Sequence, residues 1–518
     1  MLRKIIVGSR GSDLALWQAN FTKNQLENLG YSVEIIIIKT KGDQIQHLSF
    51  DKMEGKGFFT KELEDALLNG TIDLAVHSHK DLPTTFPEGL TIAAVSYRED
   101  CSESILIAPE AEDINEILGI KKGAIVGTSS ARRKSQLLNM RPDLIIKELR
   151  GNVPTRIKKL KDQQYDAIVL ASAGLNRLKI DLGEIKREII APSTFIPAPA
   201  QGVLAFQIRD VDEEMKKILL QIHDASVAKS IAVERKVLNR MDGGCLLPLG
   251  VYCLMEDSKY KVWASLFQPE KNNFNRVYLE KENENDAVNA VLDALLKQQN
   301  KTVYISRDSK DAVAFGNQLA GTGIKIISEA PICFEGISSN YVPFTDWIFF
   351  SSKTAVHYFF SQEIPYSAIT KFATIGSSTA QALKEFSIQP SFIGNDTSTK
   401  ITAQDFLIVC RGTSVLFPGA KNGMRSVQLE IGNHAIMHDI AVYETIEKEI
   451  SPNIQADIHV FTSPSTVASF IKQNKIPIHK AVAIGETTAA ALRSSGIKEI
   501  FTAPFTTEQS LADIVLGL

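Results

Sequence analysis

Residues 125–138 of the 518-residue chain read IVGTSSARRKSQLL, a short β-branched run that changes, through two serines, into a helical pattern. The same change from strand to helix recurs at residues 5–29, and again between residues 33–38 and 60–68. Such alternation is typical of α/β domains with largely parallel sheets. In these folds ligand-binding groups gather on loops at the carboxyl ends of strands. The sequence therefore predicts an α/β fold whose functional residues lie at strand-to-helix junctions.

The composition is that of a soluble protein with several domains. A chain of 518 residues exceeds a single hydrophobic core, and 44% hydrophobic with 23% charged residues is ordinary. The net charge of -3 argues against a general nucleic-acid-binding protein. The aliphatic run Ile35–Ile38 is far shorter than the roughly 20 residues of a membrane span, and the first residues lack a signal-peptide pattern. We expect a cytoplasmic protein that binds neither nucleic acid nor membrane.

Cysteine and histidine spacing predicts no metal site. The five cysteines are scattered, odd in number and without paired spacing: Cys101, Cys245, Cys253, Cys333 and Cys410. His77 and His79 lie close together, but no third ligand stands near them. Cys245 differs because glycines precede it and a proline follows, which indicates a loop that could present its thiol. An inert, buried thiol is the alternative.

Three predicted strand-to-helix junctions carry arginines. They lie at residues 8–12, 126–133 and 149–156. Arginine is suited to paired hydrogen bonds with carboxylates, and helix starts favour anions. Each arginine alone could be an exposed or salt-bridged surface residue. Three junctions of one type favour a site for a polyanion, either carboxylate or phosphate.

Residues 72–84, IDLAVHSHKDLPT, predict a strand that runs into a polar loop. Asp81 in this loop is a candidate general acid and a counter-charge for a cationic intermediate. Lys80 beside it would bias its ionisation. The alternative is a structural ion pair between the two.

The second half repeats itself. Residues 350–356 are echoed by 461–467, and residues 375–380 by 484–489, each pair about 110 residues apart. In each copy a predicted strand ends in hydroxyl residues and a helix begins, which offers free backbone N–H groups to an anion. We expect two similar α/β lobes, and a strand beginning at Thr302 places the main division of the chain near residue 300.

In this order, the motifs of the first half closely resemble the hydroxymethylbilane synthase family, also called porphobilinogen deaminase. The resemblance covers nearly all of residues 3–300, through GSRGSDLALWQ (8–18), GKGFFTKELE (55–64), HSHKDLP (77–83), GTSSARR (127–133), LRGNVPTR (149–156), PAQG (199–202) and GGC (243–245). It implies three domains: residues 1–99 with 200–217, residues 100–199, and residues 218–300. The first two would resemble lobes of periplasmic binding proteins, and the third would be a smaller α/β domain that carries the cofactor cysteine.

The resemblance also implies the chemistry. Four porphobilinogen molecules would be joined head to tail with loss of ammonia, and water would free the product. Cys245 would hold one dipyrromethane cofactor through a thioether, while Asp81 would protonate the leaving amine with Lys80 beside it. The implied cofactor-binding residues are Asp43, Lys80, Thr128, Ser129, Ser130, Arg132, Arg133 and Arg150. The implied substrate-binding residues are Arg10, Ser12, Arg156, Arg177 and Gln201.

One departure from the family pattern occurs at Cys101 and Ser102, where the family commonly has proline and a basic residue. It bears on a local salt bridge or hinge near the crossover between the first two domains.

The second half resembles uroporphyrinogen-III synthase, through VYET (442–445), FTSPS (461–465) and AIGETTAAAL (483–492). The resemblance implies two lobes, residues 301–334 with 447–518 and residues 335–446, joined by a two-stranded linker. The implied reaction closes hydroxymethylbilane to uroporphyrinogen III with inversion of the last ring. Tyr443 would assist departure of the hydroxyl, although aromatic packing at the linker is an alternative role. The implied substrate-binding residues are Ser351, Ser463, Thr487 and Thr488.

The leading hypothesis is therefore a bifunctional, monomeric enzyme of tetrapyrrole biosynthesis. One alternative is a hydroxymethylbilane synthase with an inactive carboxyl-terminal half. The other is a two-lobed anion-binding protein without enzymatic activity, which the arginine junctions alone would allow.

Overall fold

The computed structural model describes residues 3–40, 60–113, 116–241, 247–271, 273–296, 300–319, 322–338, 342–394, 399–423 and 425–518. The chain forms two compact units, residues 1–298 with 516–518 and residues 299–515. Both contain sheets and helices, so the predicted α/β class is confirmed. Among the described residues, no helix is long and apolar enough to cross a membrane.

The first sheet of unit one has the strand order β2-β1-β3-β10-β4. Its strands are β1 (Lys4–Ser9), β2 (Ser32–Ile37), β3 (Leu74–Ser78), β4 (Leu90–Val95) and β10 (Leu204–Arg209). Ile5 and Val7 pack in one apolar cluster, whereas Ile6 between them packs in another. Alternate side chains of a strand point to opposite faces, so both faces of this sheet are covered.

Strand β10 reaches this sheet after a long excursion of the chain. It pairs antiparallel with β3, and Leu204 lies opposite Ser78. The residues just before β10 therefore lie beside the residues just after β3. This register brings two segments that are more than a hundred residues apart to one edge of the sheet.

The second sheet, of order β7-β6-β8-β5-β9, is built between those two visits. Its strands are β5 (Glu103–Ile107), β6 (Ile125–Gly127), β7 (Ile145–Lys147), β8 (Ala167–Ala171) and β9 (Lys186–Ile190). Strands β6, β7 and β8 are parallel, whereas β5 runs antiparallel to β8 with Glu103 opposite Ala171. Glu103 therefore lies at the edge where the parallel strands end and their helices begin.

A third, antiparallel sheet of order β11-β12-β13 completes unit one. Its strands are β11 (Leu249–Glu256), β12 (Lys259–Gln268) and β13 (Asn273–Lys281). Val237 and Val291, from two different helices, share its core with Val251 and Val262.

Several helices of unit one begin at residues whose side chains cap the first turn. Side chains of Ser12, Ser130 and Asn152 accept the backbone N–H groups of the first turn, and Pro154 occupies that turn in the third case. The helices are Asp13–Asn28, Lys61–Leu68, Ala131–Met140, Val153–Lys161, Ser172–Leu178, Glu213–Leu219, Ala225–Arg240 and Glu284–Leu296.

The described strands of unit two form two sheets. The five-stranded sheet has the order β15-β14-β22-β23-β24 and the six-stranded sheet the order β16-β21-β20-β17-β18-β19. Their strands are β14 (Thr302–Ile305), β15 (Lys325–Ser328), β16 (Ile332–Gly336), β17 (Trp347–Phe350), β18 (Lys371–Thr374), β19 (Phe392–Ile393), β20 (Ser414–Ala420), β21 (Ile436–Glu447), β22 (Ile458–Phe461), β23 (Lys480–Ala483) and β24 (Glu499–Thr502). The helices are Val313–Leu319, Lys353–Ser361, Ser377–Lys384, Thr399–Cys410, Ser426–Ile431, Pro464–Gln473, Glu486–Ser494 and Glu508–Gly517.

The repeated motifs of this unit occupy matching places in its two sheets. Strand β17 ends at Phe350 and Ser352 caps the next helix, while β22 ends at Phe461 and Ser463 caps its helix. The neighbouring parallel strands, β18 and β23, are followed by helices capped at Gly376 and Gly485. The predicted repetition of strand, hydroxyl residues and helix is thus confirmed, as is the strand at residues 302–305.

Candidate functional site

Lys80 and Asp81 lie on a tight turn at the end of β3. The strand ends at Ser78 and a single turn of 3₁₀ helix, His79–Asp81, follows. The half-buried Lys80 ammonium donates to Gln201 Oε1 at 3.2 Å, and Gln201 Nε2 donates to the carbonyl of Cys101 at 2.8 Å. Asp81 is exposed. The antiparallel register of β3 and β10 thus joins the HSHKDLP and PAQG motifs.

Gly202 is required by this crossing of the chain. Its φ is +89°, and a Cβ there would lie 2.3 Å from the carbonyl oxygen of Glu99. The Gly202 carbonyl accepts from the backbone N–H of Glu99 at 3.0 Å and from Arg177 Nη2 at 2.7 Å. The Arg177 guanidinium also lies 5.4 Å from the ring centre of Trp17. The motif therefore fixes both Gln201 and Arg177.

Arg132 and Arg133 share one buried carboxylate. Arg132 Nη2 lies 2.6 Å from Glu103 Oε1, and Arg133 Nη2 lies 2.8 Å from Glu103 Oε2. Each guanidinium also donates to a backbone carbonyl, of Ile196 and of Val169 respectively. All three charged side chains are buried, and Glu103 is fully so. The strand β5 supplies Glu103 at the edge where the arginine helix begins.

Positive charge is in surplus around this group. Burial alone would raise the pKa of Glu103, but Arg133, Arg132 and Lys80 lower it to about 2. Burial lowers the pKa of Lys80 to about 8, and the nearby Arg133 and Arg132 act in the same direction. The single negative charge of Glu103 therefore does not neutralise the positive charges of Arg132, Arg133 and Lys80 around it.

Arg156 joins the same electrostatic group. The pKa of Arg156 is lowered to about 10, mainly by burial and also by Arg133 and Arg150, while the negative charge of Asp81 opposes the shift. Arg156 Nε donates to the carbonyl of Gly151 at 2.7 Å. We call Lys80, Asp81, Glu103, Arg132, Arg133 and Arg156 the cationic cluster. It holds four cations and two carboxylates, a balance that favours an anionic ligand.

Other predicted site residues have local structural partners. Ser12 and Ser130 cap helices, Thr128 Oγ1 accepts from the backbone N–H of Ser130 at 3.2 Å, and Ser129 exchanges hydrogen bonds with the backbone of Leu149. Arg150 lies 3.4 Å from Glu148, and Arg10 is close enough to influence the charge of His77. Asp43, residues 55–59 and Cys245 lie outside the described residues.

The two histidines of the HSHKDLP motif are buried. Burial lowers the pKa of His77 to about 4 and that of His79 to about 3, so both are neutral near pH 7. His77 Nε2 lies 3.0 Å from Gln207 Oε1. Across the described part of the chain, no cluster of three or more candidate metal ligands is found.

In unit two, Tyr443 lies on β21 among aromatic side chains. Its ring stacks on Tyr358 at 5.5 Å and meets Phe334 edge-on at 5.3 Å. Burial raises the pKa of Tyr443, while a hydrogen bond with the side chain of Ser352 opposes that shift. A packing role for the ring and a chemical role for the hydroxyl are therefore compatible, because the ring is enclosed and the hydroxyl lies beside the helix cap Ser352.

The four predicted binding residues of unit two differ in exposure. Ser351 is exposed just before its helix, and Thr487 is exposed in the first turn of its helix. Thr488 is buried. Ser463 caps its helix by accepting the N–H of Thr466 at 3.2 Å. Ser351 and Thr487 are thus the more accessible of the four.

The first half of the chain matches the family model described as porphobilinogen deaminase, dipyromethane cofactor binding domain, over residues 5–217. A porphobilinogen deaminase of Maridesulfovibrio salexigens is 46% identical over 263 residues, which cover 50% of this chain and 83% of that protein. The chain belongs to the porphobilinogen deaminase family. A relative of the same name from Oceanobacillus iheyensis is 45% identical over 271 residues, 52% of this chain and 86% of that protein.

Residues 337–513 match a second model, described as uroporphyrinogen-III synthase HemD. Among solved structures, a uroporphyrinogen-III synthetase of Helicobacter pylori is similar at 18% identity and a TM-score of 0.33, covering 42% of this chain and 98% of that chain. A mutant uroporphyrinogen III synthase of Thermus thermophilus is similar at 16% identity and a TM-score of 0.29, covering 40% and 95%. The chain thus combines a porphobilinogen deaminase domain with a uroporphyrinogen-III synthase domain.

The deaminase family's cofactor is a dipyrromethane, and the cationic cluster fits it. Each pyrrole unit carries two carboxylates, so the group is a polyanion. Within the described residues, the buried Nε–H groups of Arg133 and Arg177 donate to no acceptor, and the cluster's cations outnumber its carboxylates. Arg132, Arg133 and Lys80 are the residues that would hold it.

Glu103 is a member of the cationic cluster that sequence reasoning missed. A signal was available, because Glu103 precedes the run Ile105-Leu106-Ile107, and a carboxylate at the start of an apolar strand needs a buried cation. What the sequence could not supply was the pairing of β5 with β8, which carries Glu103 to Arg132 and Arg133.

Removal of Glu103 is expected to destabilise unit one. Glu103→Gln leaves two guanidinium groups buried without their carboxylate, and we expect a loss of about 3–5 kcal/mol in the free energy of unfolding. Because the folded pKa lies below the ordinary value of 4.5, the Glu103 contribution is present above pH 4.5 and disappears as the pH falls toward about 2.

Urea denaturation of the full chain measures this effect. The exposed Glu110→Gln is the matched control, since it removes a carboxylate from the same region without a buried partner. A Glu103→Gln midpoint equal to that of Glu110→Gln would contradict the expectation.

Proposed function

We propose that the chain is a cytoplasmic, monomeric, bifunctional enzyme of tetrapyrrole (haem) biosynthesis. The amino-terminal half joins four porphobilinogen molecules into hydroxymethylbilane with release of ammonia, and the carboxyl-terminal half closes this product to uroporphyrinogen III. The observation that carries the proposal is the cationic cluster around Asp81, in a chain that also matches a uroporphyrinogen-III synthase model.

Asp81 is the proposed proton donor to the leaving amine. Its carboxylate is exposed just after the end of β3. Its negative charge raises the pKa of both Lys80 and Arg156. Once the amine has left, the same carboxylate, now ionised, offsets the positive charge that develops on the substrate.

The arginines are proposed to hold the acetate and propionate groups. Cys245 anchors the dipyrromethane through a thioether. When bound, this group supplies the end to which each new pyrrole is joined. Arg132 and Arg133 have Glu103 as a fixed partner, so they stay in place while the length of the bound chain changes. The remaining proposed contacts are those of Asp43, Thr128, Ser129, Ser130 and Arg150 with the cofactor, and of Arg10, Ser12, Arg156, Arg177 and Gln201 with the substrate.

We propose the domain organisation that the family implies. Residues 1–99 with 200–217 and residues 100–199 form two lobes like those of periplasmic binding proteins, and residues 218–300 form the third domain. In the carboxyl-terminal half of the chain, residues 301–334 with 447–518 and residues 335–446 form two lobes. Their two-stranded linker is supported by the antiparallel pairing of β16 with the end of β21, from Ile332 opposite Glu447 to Gly336 opposite Tyr443.

The product isomer tests the two activities together. Purified full-length chain given porphobilinogen is expected to consume it and to yield uroporphyrinogen III. If only the type I isomer forms after closure, the carboxyl-terminal half is inactive. If porphobilinogen is bound but not consumed, the chain is an anion-binding protein and the proposal fails.

Lys80 is expected to set an alkaline limit on cofactor uptake by the apoprotein. Burial lowers the pKa of Lys80 to about 8, so the ammonium loses its proton, and with it a positive charge, as the pH rises through that value. The rate at which apoprotein, produced without porphobilinogen, gains the mass of the cofactor should fall above about pH 8. Arginine stays charged throughout, so Lys80→Arg should remove this decline. An unchanged decline in Lys80→Arg would contradict the assignment to Lys80.

Tyr443→Phe separates the packing role of Tyr443 from its chemical role. Phenylalanine keeps the ring stacked on Tyr358 and removes the hydroxyl near Ser352. We expect formation of the type III isomer to fall by about 10²-fold while porphobilinogen consumption is unchanged. Product separation by isomer measures the first quantity, and the second is the internal control. If the rate of type III formation were unchanged, the Tyr443 hydroxyl would have no chemical role and the residue would serve only in packing.

A further inference from the structure

Arg235 connects the helix Ala225–Arg240 to the loop that follows Asp81. Its Nη1 donates to the carbonyl of Leu82 at 2.9 Å, and its Nη2 donates to the carbonyl of Pro83. Two adjacent donors of one guanidinium thus hold two consecutive peptide groups. These carbonyls belong to the two residues next to Asp81 in the chain.

The backbone around Asp81 is held from the opposite side as well. The N–H of His79 donates to the carbonyl of Val203 at 2.9 Å, and Lys80 donates to Gln201. In the part of the chain that the structure describes, the Asp81 carboxylate itself has no hydrogen bond. The position of this carboxylate therefore depends on the backbone of its turn, which Arg235 holds after the acid and the segment just before β10 holds ahead of it.

The helix that carries Arg235 is itself anchored. The neighbouring Glu234 is fully buried and accepts from Arg98 at 2.7 Å, from the N–H of Ala200 at 2.6 Å and from the N–H of Cys253 at 2.8 Å. Because these hydrogen bonds hold the helix in place, the Arg235 side chain extends from a fixed backbone position to Leu82 and Pro83. The helix ends at Arg240, five residues before Cys245.

We infer that Arg235 is a positioning residue that holds the Asp81 turn in register with the helix leading to the cofactor-bearing Cys245. This inference rests on the proposed function, because it concerns the acid of that reaction. Arg235 acts through the backbone carbonyls of Leu82 and Pro83.

The test is Arg235→Met in the full-length, cofactor-loaded enzyme. Methionine keeps an unbranched apolar stem and removes both donors. A misplacement of about 1 Å at a reacting group costs on the order of 10²-fold, so we expect kcat to fall about 10- to 100-fold. KM for porphobilinogen should stay within about threefold, since substrate binding is not the interaction removed. Intact mass should show the cofactor still attached.

Arg240→Met is the matched control. Arg240 is exposed on the same helix, is bonded to Asn289, and should tolerate the change with kcat unaltered. Arg235→Lys retains one charged donor, so its kcat should lie between those of the parent and Arg235→Met, and it serves if the methionine variant does not fold.

A double-mutant cycle separates positioning from a general structural effect. In the Asp81→Glu background the carboxyl group is already displaced, so adding Arg235→Met should reduce kcat by a smaller factor than it does in the parent. Equal factors in both backgrounds, or a folded Arg235→Met enzyme with parental kcat, overturn the inference. A parent enzyme that does not consume porphobilinogen overturns the proposed function instead.

Discussion

The Asp81→Asn variant is expected to keep its dipyrromethane and to lose turnover by a factor of about 10²–10⁴. The amide occupies nearly the same volume as the carboxyl group, so the turn at the end of β3 should be preserved. It can neither deliver an acidic proton to the leaving amine nor supply a negative charge for the cation that forms. The rate of porphobilinogen consumption measures the loss, and intact mass shows whether the cofactor is present.

Two variants bracket this result. Asp81→Glu retains an acid in a displaced position and should show intermediate activity. Glu88→Gln removes an exposed carboxylate a few residues further along the same chain segment and should leave turnover unchanged. An Asp81→Asn enzyme with turnover within about tenfold of its parent would reject Asp81 as the proton donor.

Cys245→Ser is expected to abolish both the covalent cofactor and all turnover. A thiol ionises far more readily than an alcohol and is the better nucleophile, so serine should not form the corresponding link. The parent protein should be heavier than its sequence by two linked pyrrole units, and the serine variant should match its sequence mass. Intact mass spectrometry and porphobilinogen consumption measure the two effects independently.

The control for this experiment is Cys333→Ser. Cys333 is a half-buried free thiol on β16, in the other compact unit, and its replacement should leave the added mass and the first activity intact. A Cys245→Ser protein that still gains the pyrrole mass would place the attachment elsewhere. An unmodified but active protein would remove the thioether from the proposal.

Local patterns predicted many individual elements of this fold. The strand at residues 302–305, the helix start at Ser130 and the repeated strand–helix junctions of unit two depend on contacts within a few residues, and these are readable from the sequence. Most candidate site residues, Asp43 and Arg177 among them, were instead implied by the resemblance to known families.

Long-range pairing could not be predicted from such patterns. Arg132 and Arg133 could have been ion-paired or free to bind a ligand, depending on the position of Glu103. The antiparallel pairing of β5 with β8 sets that position. The contact of Arg235 with the Asp81 turn joins residues about 150 positions apart, and no periodicity signals it. Sequence separation, rather than residue chemistry, was the obstacle in both cases.

The late return of β10 to the first sheet has a consequence for synthesis. Strand β4 has β10 as its neighbour in the sheet order, so residues 90–95 leave the ribosome well before their partner does. All five strands of the second sheet, residues 103–190, are made in that interval. Because domains tend to fold as they emerge and distant pairings form slowly, the enclosed sheet should fold first during translation. The Lys80–Gln201 contact should then be among the last parts of the deaminase site to assemble on the nascent chain.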